Sequence, residues 1–300
     1  MELPDAGHEP VLLRETMEML ALRPGMVVAD CTVGRGGHAL AIAERIGPDG
    51  LLIALDVDPA NLEFARGRLE GMPCRMRFFH ANFAELEDVV AAAGVQAVDA
   101  ILADLGPSTN QFFERRYGLS FAEDMPLDMR LDPRIPHTAA DVLKTLSEKE
   151  LADVLYELAQ ERYARRIARR ICGEIRSGLP ITTTGRLAQV VRSVIPRRGA
   201  TRIDPCTRTF LALRAYVNRE VENLKVLLEK GPQLLAAGGR MVVISFQSTE
   251  DRLVKQAFRA LQKSGTAEIL TRKPLRPAEA ETARNPRSRS ALMRAIRKRG

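Results

Sequence analysis

Three carboxylates and a glycine-rich turn are the residues here whose types and spacing suit chemistry. Gly34-Arg35-Gly36-Gly37-His38-Ala39 fits the loose GxGxx(G/A) pattern, with Asp30 just ahead of it. Asp56 lies about 20 residues on, the spacing of an acid that binds ribose hydroxyls. Asp104 opens the segment Asp104-Leu105-Gly106-Pro107-Ser108. A bound pyrophosphate wants bare amides and no carboxylate beside them. Asp30 and Asp104 therefore argue against a dinucleotide and for a ligand carrying positive charge. S-adenosylmethionine, with an ammonium, a sulfonium and no phosphate, meets that description. The glycines would let the backbone approach its methionine part, and Asp56 would accept hydrogen bonds from both ribose hydroxyls. The structural alternatives are that Asp30 caps its own turn and that Asp56 caps the helix opened by Pro59. Phe83, after Asn82, either flanks an adenine ring or joins the core.

Asp104 also suits transfer to an amine. An exocyclic amine conjugated to a base is a poor nucleophile. A carboxylate and turn carbonyls that accept its protons direct its lone pair at a methyl sulfonium, with no covalent step. A covalent route would need a cysteine, and none sits in this segment; Cys206, in Asp-Pro-Cys-Thr-Arg, reads as structural or incidental. The target base would have to leave its stack. His38 contacts cofactor or substrate, or serves local structure; His8, His80 and His137 take no role.

These residues need a frame that brings strand ends together. Short apolar runs at Met26–Asp30, Leu51–Leu55, Met76–Phe79 and Val98–Leu102 alternate with helical patterns at Ala39–Ile46, Pro59–Leu69 and Phe83–Ala93. That alternation predicts a parallel sheet with helices on both faces. Residues 107–136 read as loop, and 141–195 as helical, with Ser147 and Glu150 as a capping box and Thr182, Thr183 and Thr184 before another helix. The pattern then resumes: one long helix over Phe210–Leu228, a strand over Arg240–Phe246, a helix over Asp251–Lys263, and last strands near Ala267–Leu270 and Ser290–Ile296. The predicted fold class is α/β, a class I, Rossmann-like methyltransferase sheet interrupted by an all-helical domain. Residues 1–111 and 206–300 would form the cofactor domain, and 112–205 a helical insertion that recognises RNA.

Charge points to the partner. The chain has 45 Lys and Arg against 38 Asp and Glu, a net charge of +7. Arginines cluster at Arg162, Arg165, Arg166, Arg169 and Arg170, again at Arg197, Arg198, Arg202 and Arg208, and from Arg284 to the end. Any one cluster reads as a solvated face; three favour a nucleic acid, since arginine forks onto phosphates and stacks on bases. No run of about 18 apolar residues is present, so no membrane span is expected. The four cysteines are far apart with no CxxC pair, so neither a zinc site nor a disulfide framework is indicated, and no metal is expected. The first ten residues lack an apolar signal core, which fits a cytoplasmic protein.

Ordered motifs across almost the whole chain resemble one family. They are His8-Glu9-Pro10-Val11-Leu12-Leu13, Thr32-Val33-Gly34-Arg35-Gly36-Gly37-His38, Asp104-Leu105-Gly106 and Pro126-Leu127-Asp128-Met129-Arg130. Thr207-Arg208-Thr209-Phe210, Ala212-Leu213-Arg214, Ile244-Ser245-Phe246, Glu250-Asp251-Arg252 and Asn285-Pro286-Arg287-Ser288-Arg289-Ser290 follow. The sequence is similar to the bacterial 16S rRNA cytosine-N4 methyltransferases called MraW or RsmH. The resemblance implies methyl transfer from S-adenosylmethionine to N4 of a cytosine in the decoding region of small-subunit rRNA, free or in an assembling subunit. It implies cofactor contacts at Gly36, Gly37, His38, Asp56, Phe83, Asp104 and Gln111. Asp104 as the catalytic acceptor of the amine is inferred from the residues, not from the family pattern. The sequence departs from that pattern at Pro107, Thr109, Asn110, Cys206, Leu211, Gln247 and Thr249, mostly on the substrate side. Those departures keep two other functions open: a non-catalytic, cofactor-binding RNA-binding or ribosome-assembly factor, and a methyltransferase with a different RNA or protein target. Monomer and homodimer both fit the sequence.

Overall fold

The computed structural model describes residues 10–195 and 204–300. In chain order these form α1 (Leu13–Leu20), β1 (Val27–Asp30), α2 (Gly37–Ile46), β2 (Leu51–Asp56), α3 (Pro59–Arg68), β3 (Arg75–His80), α4 (Leu86–Ala92) and β4 (Val98–Asp104). Then come α5 (Thr109–Phe113), α6 (Ala139–Thr145), α7 (Glu148–Ala159), α8 (Ala164–Arg176), α9 (Thr184–Val194) and α10 (Thr207–Val217). The chain closes with α11 (Glu220–Leu234), β5 (Leu235–Ser245), α12 (Ser248–Lys263), β6 (Ala267–Ile269), α13 (Glu279–Arg284) and β7 (Leu292–Lys298).

Two compact units result: residues 1–106 with 222–300, and residues 107–221. The inserted unit thus starts earlier than 112 and ends later than 205, because α10 adds Phe210, Ala212, Leu213 and Val217 to its core.

The first unit is built on a seven-stranded sheet in the order β3-β2-β1-β4-β5-β7-β6. β1 to β5 run parallel, and β7 pairs antiparallel with β5 and β6. That order, with its reversed seventh strand, is the class I methyltransferase sheet. Every residue of β2 is buried, as a strand covered on both faces requires. β3, at the sheet edge, has no fully buried residue. One core lies on each side: Ile53, Ile101, Val243 and Phe258 on one, Leu52, Leu102, Ile42 and Ile244 on the other. From β1 the order steps to β2 and β3 one way and to β4 and β5 the other. The switch point thus falls between β1 and β4, and at such a point the carboxyl ends of the strands open a ligand crevice. Asp30 and Asp104 end those two strands.

The second unit is helical around its own core, including Leu151, Leu155, Ile167, Ile171 and Leu187. Ser147 and Glu150 form the expected capping box on α7, and Thr183 caps α9 by accepting from the Arg186 N–H. α8 buries Ile167, Ala168 and Ile171 and exposes Arg165, Arg166, Arg169 and Arg170.

Three sequence expectations need correction. The long helix over Phe210–Leu228 is two helices, α10 and α11. They break at Asn218, whose amide donates to the Met129 and Arg214 carbonyls and whose Oδ1 accepts from the Leu131 N–H, and at Arg219, with φ +51°. The region 107–136 is not all loop, since it holds α5 and a 3-10 turn at Arg115–Tyr117. The pattern over Phe83–Ala93 divides into a 3-10 turn, Phe83–Glu85, and α4.

Candidate active site

The carboxylates meet at the switch point because strand register puts them there. β1 and β4 pair with Asp30 opposite Leu102, so Asp104 projects beyond the end of β1. The Cys31 N–H continues the ladder to the Leu102 carbonyl at 2.9 Å. Thr32 then turns its Oγ1 to accept the Asp104 backbone N–H at 2.7 Å. On the other side the Leu105 N–H donates to the Ile244 carbonyl at 2.9 Å, fixing the end of β4 from both neighbours.

Asp30 is 1% exposed. Its Oδ1 accepts the Thr32 N–H at 3.2 Å, so it does cap its own turn, but its Oδ2 is buried without a hydrogen-bond partner. Burial pushes this carboxyl up to about 7, opposed by the Thr32 amide and reinforced by the charge of Asp56. Asp104 is half-buried, and its Oδ1 is likewise buried and unpartnered. Burial pushes it well above the usual carboxylate range, and the charges of Asp30 and Glu250 add to that. An orphaned buried polar atom costs about 1–3 kcal/mol, more when charged. Two of them on carboxylates that act electrostatically on each other indicate a site made for something positively charged.

The glycine loop closes over this point. Gly34 and Gly36 have φ of +51° and +80°, a region open to glycine at little steric cost. Gly37 begins α2 against the Pro10 ring, where a Cβ would come to 3.2 Å. His38 Nε2 lies 3.0 Å from the Val11 carbonyl. A carbonyl only accepts, so Nε2 carries the hydrogen. Nδ1 of the same ring stands 3.8 Å from Asp104 Oδ2.

Asp56, ending β2, is buried, and both its oxygens already accept from backbone: Oδ2 from the Gly34 N–H at 2.8 Å and Oδ1 from the Asp58 N–H at 2.9 Å. Burial raises its carboxyl to about 6 despite those bonds. Asp58, not Asp56, caps α3, accepting from the Ala60 N–H at 3.0 Å. Phe83 follows β3 in the 3-10 turn and packs, partly buried, against the core that holds Ile53 and Leu55. Gln111 lies in the second unit, buried in α5, with its Oε1 accepting the Ser108 N–H at 2.9 Å. The first unit therefore gathers Gly36, Gly37, His38, Asp56 and Asp104 around the ends of β1, β2 and β4, with Phe83 after β3.

Two contributors escaped the sequence reading. Thr32 locks Asp104 in place, and no pattern in the chain announces that bond. Glu250 is buried at the start of α12, where it accepts the Phe246 and Gln247 N–H groups at 3.0 and 3.1 Å and adds negative charge near Asp104. The spacing of Gln247 and Glu250, that of a capping box, was the available signal.

The residues fit S-adenosylmethionine, the methyl donor. The orphaned oxygens of Asp30 and Asp104 suit its positive groups, and the positive-φ glycines bring bare backbone to the same edge. All four cysteines are buried, and Cys206, whose thiol is pushed up to about 12 by burial and by Asp204, points Sγ at the Ala188 carbonyl at 3.5 Å. Among the described residues no group of three or more His, Cys, Asp or Glu is arranged to hold a metal ion. No helix among them is long and apolar enough to cross a membrane.

The basic clusters divide. On α8, Arg169 reaches Glu148 at 3.4 Å and Arg170 reaches Glu174 at 2.6 Å, while Arg166 lies over the Tyr163 ring at 5.7 Å. In the C-terminal run, Arg294 is buried in a two-pronged pair with Asp251, and Arg297 pairs with Glu268, so these serve the fold. Arg197, Arg198 and Arg202 lie outside the described residues, as do His8 and Glu9; Arg208 donates to the Gln160 carbonyl at 3.0 Å.

A protein of Acidobacterium capsulatum named ribosomal RNA small subunit methyltransferase H is 46% identical over 298 residues, covering 97% of this chain and 98% of that protein. Proteins of the same name from Solibacter usitatus and Thermotoga neapolitana are 47% and 45% identical, covering 96% of this chain each and 99% and 95% of their own lengths. The family model described as MraW methylase matches residues 5–299, and the chain belongs to the MraW methylase family.

Proposed function

We infer that this S-adenosylmethionine-dependent methyltransferase acts on small-subunit ribosomal RNA in the cytoplasm, and that its acceptor is the exocyclic N4 of a cytosine in the decoding region. The observation that carries the reading is Asp104: a half-buried carboxylate at the switch point, fixed through its backbone by Thr32 and β5, with one oxygen unpartnered. The names of the relatives support the choice of RNA.

The bound cofactor supplies a methyl group on a positively charged sulfur. Asp104 accepts a hydrogen bond from the cytosine amine, which draws nitrogen lone-pair density toward the methyl and leaves an acceptor for the proton the amine loses. Asp56 accepts from the Gly34 and Asp58 amides and from the Asn61 side chain, and its remaining lone pair accepts a ribose hydroxyl. Gly36, Gly37 and His38 line the methionine end, and Phe83 flanks the adenine. No thiol takes part.

Residues 107–221 recognise the RNA. They hold 20 Lys and Arg against 14 Asp and Glu, so most of the chain's excess positive charge sits there. The arginine face of α8 meets the phosphates. The test is to incubate the protein with labelled cofactor and small subunits lacking cytosine-N4 methylation, then digest the rRNA and identify the labelled nucleoside. Label in another nucleoside, or in ribosomal protein, would replace the proposed target. No label with competent subunits and demonstrated cofactor binding would favour a binding-only assembly factor.

A further inference from the structure

Asp30 lies outside the expected set of cofactor contacts, yet it is the most deeply buried carboxylate at the switch point. Its two oxygens differ. Oδ1 satisfies the Thr32 amide, which is all that a turn cap needs. Oδ2 has no partner among the described residues, and the charge of Asp30 is felt at Asp104, whose Oδ1 is buried and unpartnered too. A turn cap alone explains neither orphan. Serine or asparagine would cap the turn without a buried charge.

The groups around Asp30 carry almost one sign. Asp56 faces it from the end of β2, Asp104 from the end of β4, and Glu250 faces Asp104 from the start of α12. His38, from α2, stands near Asp104. Such a cluster holds protons until a cation replaces them. The methyl donor carries an ammonium, a sulfonium and a carboxylate, hence one net positive charge. Its demethylated product keeps the ammonium and carboxylate but has a neutral thioether, hence no net charge.

We propose that Asp30, acting with Asp104, is a charge-selective determinant of the cofactor site that prefers the cationic donor to the neutral product and releases a proton when the donor binds. Transfer of the methyl group removes the sulfonium charge, the pair of carboxylates takes a proton back, and the product loses its electrostatic hold. Donor affinity then rises with pH while the free pair still carries protons to release, whereas product affinity changes less. The shift of the Asp30 carboxyl to about 7 places this window near neutrality. The inference rests on the methyl-donor reading of the site and is independent of which RNA atom is methylated, so binding measured without RNA separates the two.

The experiment is titration calorimetry of the full chain with S-adenosylmethionine and, separately, S-adenosylhomocysteine, in two buffers of different ionisation enthalpy between pH 5.5 and 8. The expected result is proton release with the donor, less with the product, and a donor-over-product preference that grows with pH. Asp30→Asn keeps an acceptor for the Thr32 amide and removes the charge. It should melt no lower than wild type at pH 8, bind the donor about tenfold or more weaker, and lose the extra proton release, with product affinity affected less. Equal proton release and parallel pH curves for the two ligands in the wild type would overturn the proposal. So would an equal loss of both affinities in a folded Asp30→Asn. If that variant fails to fold, the wild-type comparison decides alone.

Discussion

The Asp104 backbone N–H donates to Thr32 Oγ1 at 2.7 Å, so a side chain of the β1 turn closes the end of β4. The bond spans the switch point and holds the proposed amine acceptor in place. Thr32→Val keeps the shape and removes the acceptor, leaving the Asp104 N–H unsatisfied. The loss in stability should be about 1–3 kcal/mol, the cost of an orphaned buried donor. Methyl transfer should fall more than cofactor binding does, because the cofactor keeps its other contacts while Asp104 drifts. Calorimetric melting, cofactor titration and single-turnover rates would check this; equal losses in binding and transfer would contradict the positioning role.

Stability without cofactor should depend on pH in an uncommon direction. Asp30 and Asp56 are raised from 3.8 to about 7 and about 6 in the folded chain. Between those limits the folded state binds more protons than the unfolded one, so their contribution is full below about pH 4 and is lost as pH rises through 6 to 7. Melting of the cofactor-free protein should therefore be higher at pH 5 than at pH 8, and Asp30→Asn should flatten the difference. A saturating methyl donor should restore stability at pH 8. A melting temperature that rises from pH 5 to 8 in the wild type would contradict the assignment.

Gly118 is the least replaceable glycine of the helical unit. Its φ is +58°, and a Cβ there would lie 2.1 Å from the Pro126 carbonyl oxygen and 2.9 Å from the Asp128 backbone nitrogen. Neither backbone atom can yield as a flexible side chain would. Gly118→Ala should cost roughly 3 kcal/mol or more. Gly173→Ala, with nothing within 4 Å, serves as the control and should leave melting nearly unchanged.

The α8 arginine face makes a prediction about salt. Arg165 and Arg166 are exposed and belong to none of the ion pairs of that helix. Reversing both to Glu should weaken binding to small-subunit RNA by tenfold or more. It should also reduce the slope of log affinity against log salt by about 1 for each phosphate no longer neutralised. Cofactor affinity should stay the same. Unchanged RNA affinity and slope would remove α8 from the interface.

Local patterns made much of the fold legible. Apolar runs ending in Asp30, Asp56 and Asp104 marked three strand ends, and Ser147 with Glu150 marked a helix start. What stayed hidden depended on partners distant in sequence. The Asn218 break needs Met129 and Leu131, which no window around it contains. The end of the insertion followed from α10 packing into the helical core rather than from any change in composition. Arg294 looked like part of a basic tail, but its role as a buried partner of Asp251 emerges only when β7 lies against β5. At the site, residue type foretold the negative edge but not its internal wiring: Asp56 engaged with two amides, Asp104 tied to Thr32, and Glu250 nearby.

The most direct test of the proposed reaction is mass spectrometry of the nucleosides in small-subunit rRNA that lacked cytosine-N4 methylation before treatment with this protein and S-adenosylmethionine. New N4-methylcytidine is expected at a decoding-region position with the wild type, and none with a folded Asp104→Ala at cofactor concentrations that saturate it. A methyl group on any other atom, or undiminished N4-methylcytidine with Asp104→Ala, would contradict it.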